Sequence, residues 1–189
     1  MLITGRVCKV MYQVRDDRVV EIESAPPPDT GAPLPAVVSD EWHVLLAYIV
    51  SEPDPDWDGS YVEVVSPGTP NELVAVVRFE RPCCHLFGPP NDEALHGHPL
   101  ASRGLRHYSV SEVINSSWVH SLERMNSVHP QHRPERFGSY RHYIFAFHDS
   151  TFECVAEGFE VKLHRGSLKS AVRLMSQMLD GDMEEGPSA

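Results

Sequence analysis

The chain has 189 residues, of which 41% are hydrophobic and 23% are charged. This composition is typical of globular proteins, and the length suits a single hydrophobic core. The formal net charge of −11 is opposite in sign to the basic surfaces that bind nucleic acids, so we expect no nucleic-acid partner. We predict one folded domain over residues 1–181, followed by a disordered acidic tail at 182–189.

No stretch of the sequence is typical of a membrane span or a secretory signal. The longest apolar run, WHVLLAYIV at 42–50, is shorter than the roughly 20 residues that a membrane helix needs. The amino terminus lacks the charged start, apolar stretch and small-residue cleavage site of a signal peptide. We therefore expect no membrane partner and a cytoplasmic location. In that compartment Cys8, Cys83, Cys84 and Cys154 are expected to be reduced thiols.

Short segments rich in valine and isoleucine, bounded by turn residues, predict a series of strands. They lie at 2–14, 18–23, 41–50, 61–65, 72–80 and 106–113. The run at 41–50 is nearly continuous in apolar residues and is interpreted as a central strand buried on both faces. Between the early strands, the proline-rich stretch at 25–36 predicts an extended surface loop.

Two segments late in the chain have helical periodicity. Ile114, Trp118, Leu122 and Met125 recur at helical spacing and predict a helix over about 116–126, with Asn115 or Ser116 as its cap. An apolar stripe predicts a second helix over about 168–180, and consists of Leu168, Ala171, Val172, Met175, Met178 and Leu179. Two prolines and a glycine make 127–139 a predicted loop.

The segment 141–163 predicts a β-hairpin with its turn at Asp149 and Ser150. This register places His148 opposite Thr151 and His142 opposite Glu157. One face then collects apolar side chains and forms a core: Tyr143, Phe145, Phe147, Phe152, Cys154 and Ala156. Because strands joined by turns outnumber the late helices, the predicted fold class is α+β: a mostly antiparallel, curved sheet built of hairpins, with one or two packing helices.

Histidines are concentrated in the middle of the sequence, and they suggest metal binding. Neutral imidazole is the commonest transition-metal ligand, and a catalytic metal needs about three protein ligands. If the HGH motif is extended, His96 and His98 lie on the same side, and His148 is a candidate third ligand for one transition-metal ion. In the alternative interpretation, Asn91 caps a short helical turn that separates the two histidines.

The segment 81–105 is a long predicted loop, and long loops in compact domains are usually functional or disordered. We expect it to fold over the polar face of the hairpin, because hydrophobic anchors such as Leu95 and Leu100 distinguish it from a disordered segment. Histidine beside carboxylate is typical of general acid/base chemistry. The predicted catalytic residues at this pocket are His148, Glu153, Asp92 and Glu93.

Three functions remain open from the sequence. The first is a small-molecule enzyme or ligand-binding domain that uses histidine and carboxylate chemistry, with or without a metal, between the 83–100 loop and the hairpin. The second is a non-enzymatic accessory or regulatory protein whose acidic surface and tail bind a protein partner. The third is thiol chemistry at Cys83 or Cys84, since His85 follows them directly and a neighbouring imidazolium lowers a thiol pKa.

Overall fold

The computed structural model describes residues 16–52 and 64–181. Two α-helices are present in these residues, α1 (Ser117–Asn126) and α2 (Leu168–Gly181), together with short 3-10 helices at Leu95–Gly97, Ala101–Arg103 and Pro134–Gly138. The strands are β1 (Arg18–Glu21), β2 (Ala36–Ser39), β3 (Val44–Ile49), β4 (Glu72–Glu80), β5 (Cys84–Gly88), β6 (Val110–Ile114), β7 (Arg141–Ala146), β8 (Thr151–Ala156) and β9 (Gly158–Gly166). The predicted α+β class is confirmed.

The strands form two antiparallel sheets, and the chain bends from one sheet into the other at one point. One sheet has the order β1-β6-β7-β8-β5 and the other has the order β2-β3-β4-β9. Pairing of β4 with β9 ends at Glu80 and Gly158, and pairing of β5 with β8 begins at Cys84 and Val155. Residues 81–83 therefore lie opposite only 156 and 157. The extra residue is a bulge, which bends the strands from one sheet into the other.

An aromatic core fills the space between the two sheets. It is lined by alternate residues of the strands, including Leu46, Tyr48, Val77, Phe79, Tyr143, Phe145, Phe147, Phe152 and Cys154. Phe145 is completely buried. The centroid of its ring lies 6.0 Å from the ring centroids of Tyr48, Phe79 and Phe152. Apolar side chains alternate with a period of two along these strands, and this period directs them to the shared core.

The outer faces of both sheets are covered. On the four-stranded sheet, Leu168, Ala171 and Met175 of α2 pack against residues such as Leu45 and Val74. On the five-stranded sheet, α1 covers one part, where its residues Trp118 and Val119 pack against Val155 of β8. The remainder is covered by the long connection between β5 and β6. Because β3 lies in a sheet packed on both faces, all six of its residues are buried, as its apolar sequence predicts.

Several predicted boundaries are confirmed, and others differ. The strand at 72–80 and the helices near 116–126 and 168–180 are confirmed, with Ser116 as the α1 cap. The strand predicted at 106–113 begins only at Val110. The segment 81–105 is not loop throughout, because β5 pairs with β8 inside it. The strand predicted at 2–14, most of that at 61–65, and the tail at 182–189 lie outside the described residues.

The predicted register of the β7–β8 hairpin is wrong by two residues. Thr151 lies opposite Ala146 rather than His148, so the loop comprises residues 147–150, closed by the Phe147 N–H donating to the Ser150 carbonyl at 2.9 Å. The physical reason is the absence of glycine or asparagine at Asp149 and Ser150, since tight two-residue turns need positive φ values. A shift of two keeps every side chain on its predicted face.

None of the helices in the described ranges has the length and apolar character needed to cross a membrane.

Candidate functional site

The connection between β5 and β6, residues 89–109, is here called the covering segment. Its three leucines Leu95, Leu100 and Leu105 are buried against the outer face of the five-stranded sheet. Polar contacts fix its start: the Asp92 N–H donates to the His148 carbonyl at 2.8 Å, and the Thr151 hydroxyl donates to the Pro90 carbonyl at 2.9 Å. The covering segment thereby brings its polar residues to the β7–β8 hairpin.

A buried polar network lies beneath the covering segment and α1. The Glu153 carboxylate, only 5% exposed as a residue, is shared by two imidazoles. His142 Nε2 lies 2.8 Å from Glu153 Oε2, and His98 Nε2 lies 3.4 Å from Glu153 Oε1. On its other side, His142 Nδ1 lies 3.0 Å from the Ser116 hydroxyl oxygen. These contacts join the covering segment, α1 and both strands of the hairpin.

The backbone N–H donors indicate which side-chain atoms of this network carry a hydrogen. The Leu100 N–H donates to His98 Nδ1 at 3.2 Å, so the neutral His98 ring carries its proton on Nε2 and donates it to Glu153. The Val119 N–H donates to the Ser116 hydroxyl oxygen at 3.3 Å, which leaves the hydroxyl proton directed to His142. Ser116 is 5% exposed and caps α1. The contacts of Ser116, His142 and Glu153 therefore link α1 to both strands of the hairpin.

A second, solvent-facing cluster lies at the end of the hairpin. It is built from the two ends of the covering segment, which contribute Asp92 and Tyr108, and from the hairpin loop, which contributes His148 and Asp149. The Tyr108 hydroxyl donates to Asp92 Oδ2. His148 Nδ1 bonds to Asp149 Oδ1 at 3.0 Å, while His148 Nε2 lies 3.9 Å from Asp92 Oδ2. Both sides of the His148 ring therefore face a carboxylate.

The charges of the cluster influence one another. Hydrogen bonding to Asp149, with the nearby charges of Asp92 and Glu93, raises the pKa of the exposed His148 imidazole. The hydrogen bond from Tyr108 lowers the pKa of Asp92. The same bond raises the pKa of Tyr108 to about 12, because the bond is lost when the phenol loses its proton. Near neutral pH the cluster thus contains an ionised Asp92, a protonated Tyr108 and a histidine that titrates above its ordinary range.

One pair of groups in this cluster is suited to contact a ligand. The separation of 3.9 Å between His148 Nε2 and Asp92 Oδ2 is that of an ion pair and is too long for a hydrogen bond. Since His148 Nδ1 is occupied by Asp149, Nε2 is the ring nitrogen available for a further contact. The His148 side chain is 41% exposed and that of Asp92 is 16% exposed, so solvent reaches the pair. A polar ligand atom beside the pair accepts from the imidazolium or donates to the carboxylate.

The predicted metal ligands do not converge. The segment around HGH forms the 3-10 helix Leu95–Gly97, with the Ala94 N–H donating to the Asn91 side chain at 3.1 Å. His96 is exposed, whereas His98 is buried next to Glu153. Across residues 16–52 and 64–181, no group of three or more histidine, cysteine, aspartate or glutamate side chains is arranged to hold a metal ion. The proposed site of His96, His98 and His148 therefore has no geometric support.

The predicted catalytic residues separate into two groups. Asp92 and His148 meet in the exposed cluster, and Glu93 contributes its charge there. Glu153 instead belongs to the buried network, where its diagonal neighbour across the hairpin is His142 rather than His148. Tyr108 was missed by sequence reasoning. No local signal links it to Asp92, because the two are sixteen residues apart and meet only when the covering segment folds back.

A basic surface hollow lies elsewhere on the molecule. It is lined by Gln131, His132, Arg133 and Arg136, all in the connection that follows α1. None of these residues belongs to the exposed cluster or to the buried network. We place the candidate site at Asp92, Tyr108 and His148 because titratable groups from two distant segments converge there, whereas the hollow is lined by one segment.

The titration of His148 provides a direct check of this geometry. We expect its pKa, measured by NMR of the imidazole resonances, to lie above that of an unperturbed histidine. Asp149→Asn and Asp92→Asn should each lower this pKa, because each removes a negative charge that favours the imidazolium. Glu135→Gln, at an exposed carboxylate in the connection after α1, is the matched control and should leave it unchanged. An unaltered His148 titration in both aspartate variants would contradict the described contacts.

Comparison with known proteins finds no matching family model, no similar curated protein and no similar solved structure. The chain is therefore classified by its fold and its site. It is an α+β protein with a solvent-accessible cluster of histidine, aspartate and tyrosine side chains.

Proposed function

We propose that this protein is a small-molecule enzyme or ligand-binding domain whose polar ligand binds beside the solvent-accessible pair of His148 and Asp92, where histidine and carboxylate chemistry transfers a proton. The observation that carries this proposal is this pair, whose His148 Nε2 and Asp92 Oδ2 atoms lie 3.9 Å apart at a position that solvent reaches. The covering segment and the hairpin loop are both needed to build it, and none of its side chains is required to fill the core.

The chemistry of each residue supports a distinct role. His148, with its raised pKa, donates a proton from Nε2 when charged and accepts one when neutral. Asp92 accepts from the ligand or balances the imidazolium charge. Tyr108 keeps its proton because its pKa is raised to about 12, so it acts as a fixed donor that holds the Asp92 carboxylate in place. Asp149 orients the ring through Nδ1.

The ligand class follows from the same groups. Ligands with a hydroxyl, amine or carboxylate group are suited to bind beside this pair, because it offers one cationic donor and one anionic acceptor. The carboxylates of Asp92, Glu93 and Asp149 surround the imidazole and favour neutral or cationic ligands over highly anionic ones. Proton transfer to or from such a group needs no cofactor.

The test is a ligand-observed NMR screen of a library of small polar metabolites against the full chain. We expect at least one ligand whose affinity falls about tenfold or more in His148→Gln and Asp92→Asn, because a hydrogen bond to a charged group contributes about 1.5–3 kcal/mol. Tyr108→Phe should weaken binding less, since it removes only the support of Asp92. His120→Gln, an exposed histidine on α1, is the matched control and should bind normally.

Two outcomes would contradict the proposal. One is a screen in which the wild-type chain binds no member of the library. The other is a ligand that binds equally well to the wild type, His148→Gln and Asp92→Asn. Circular dichroism of each variant excludes unfolding as the cause of lost binding.

A further inference from the structure

The connection between α1 and β7 contains a surface cavity, here called the basic hollow. It has a volume of about 510 Å³ and is lined by Gln131, His132, Arg133 and Arg136. Cavities of this size are typical of small-molecule sites. Because every lining residue has a polar or charged side chain, the basic hollow is suited to a polar ligand rather than an apolar one.

Two arginines give the basic hollow a permanent positive charge, since a guanidinium stays protonated at any physiological pH. Arg133 and Arg136 are exposed, and in the part of the chain that the structure describes neither lies within ion-pair distance of a carboxylate. Glu123 bonds to His132 instead, with 2.8 Å between Oε1 and Nε2. The whole chain has a net charge of −11, so this positive charge is a local feature.

The two arginines lie on the same side of one turn. The Arg136 N–H donates to the Arg133 carbonyl at 3.1 Å, at the start of the 3-10 helix Pro134–Gly138. Side chains three residues apart eclipse each other in a 3-10 helix. Both arginines also line the same cavity, so a single ligand can contact both guanidinium groups.

Hydrogen bonds attach the basic hollow to the rest of the fold at both ends. At one end, His132 is joined to α1 through Glu123. At the other end, the Ser139 hydroxyl oxygen lies 3.0 Å from the Arg136 carbonyl and 3.1 Å from Glu157 Oε1, between β8 and β9. A site whose backbone is already held in place loses less conformational entropy when it binds a ligand.

The charge of the basic hollow indicates which anion it binds. A guanidinium forms two parallel hydrogen bonds with either a carboxylate or a phosphate. A phosphate monoester carries a charge of about −1.5 to −2 near pH 7, which balances two guanidinium groups, whereas one carboxylate balances only one. The Gln131 side chain offers a further amide donor at the wall. The volume also leaves room for the organic part of the ester.

We propose that the basic hollow binds the phosphate group of a small phosphate monoester through Arg133 and Arg136. This site is independent of the pair of His148 and Asp92, which lies on other segments. The two sites differ in the charge they favour, because carboxylates surround His148 and disfavour highly anionic ligands there. The protein therefore has a second ligand site, specific for phosphate esters.

Isothermal titration calorimetry of the full chain with glycerol 3-phosphate tests the proposal. The buffer is free of phosphate and low in salt, because salt screens exposed charges. We expect one binding site per chain. Arg133→Gln and Arg136→Gln should each weaken binding about tenfold or more, because each removes charged hydrogen bonds to the phosphate. The double variant should show no binding. Lysine at either position should bind with intermediate affinity, since it keeps the charge but not the fork of donors.

Two variants outside the basic hollow provide matched controls. Arg106→Gln removes the same charge from an exposed arginine of the covering segment and should bind glycerol 3-phosphate normally. His148→Gln should also bind it normally, so that a failure at one site is distinguished from a failure at the other. Because the replaced arginines are exposed, all variants are expected to fold, and circular dichroism verifies this.

Inorganic phosphate and acetate, titrated in the same way, distinguish the ligand classes. We expect inorganic phosphate to bind more weakly than glycerol 3-phosphate, and acetate to bind more weakly still. The proposal would be overturned by a wild type that does not bind glycerol 3-phosphate, or by equal affinities of the wild type and the double variant. An equal loss of affinity in Arg106→Gln, or acetate that binds as tightly as the phosphate ester, would overturn it as well.

Discussion

Replacing Phe145 with alanine is expected to destabilise the protein by about 4 kcal/mol, because truncating a completely buried phenylalanine loses its transfer free energy and leaves a cavity. The ring lies between the two sheets, and its centroid is 6.0 Å from those of Tyr48 and Phe79 in the four-stranded sheet and of Phe152 in its own sheet. The free energy of unfolding, measured in urea, provides the check.

Phe87→Ala is the matched control, since the same truncation is made at a residue that is 46% exposed on the edge strand β5. Its expected cost is about 1 kcal/mol, because half of the ring is already in water. Equal losses of stability in the two variants would show that Phe145 does not lie in a core shared by the two sheets.

Glu153→Ala is expected to cost about 3 kcal/mol, since removing one partner of a buried, charged hydrogen-bonded group leaves the others without their acceptor. Both imidazoles are affected, as His142 Nε2 and His98 Nε2 bond to separate oxygens of the same carboxylate. Glu153→Gln should cost less, because the amide keeps the shape of the side chain and one acceptor oxygen. Urea unfolding of both variants measures the difference.

Glu135→Ala, at an exposed glutamate, is the control for this change and should alter stability by about 0.5 kcal/mol or less. If Glu153→Ala were as stable as this control, the network would contribute nothing to the fold. A role for Glu153 in catalysis would then regain support, because loss of function without loss of stability is typical of catalytic residues.

The exposed cluster was predictable in part. Asp92 and His148 were both selected from the sequence because a histidine-containing hairpin and a polar loop with hydrophobic anchors were expected to meet, and they do meet. Tyr108 completed the cluster only in three dimensions. The hydroxyl of Tyr108 reaches Asp92 because the covering segment reverses direction between them, which no local pattern records.

In the buried network, the face on which each residue lies was predictable, but the contacts between the residues were not. His142 and Glu153 belong to the face opposite the predicted apolar core, and the segment 81–105 was expected to fold over that face. Their direct contact depended on the register, and the predicted register was two residues in error. Sequence alone distinguishes the faces of a strand, but the length of the hairpin loop decides which residues become neighbours.

The sequence by itself determined the α+β class, the apolar face of each central strand and the two helices, because these depend on local periodicity and capping. Only the tertiary structure decided that the strands form two sheets joined through a bulge, and that His98 is buried and His96 exposed. The physical reason is that these features depend on strand pairing and on side-chain contacts between distant segments, whose free energies are absent from any short window of sequence.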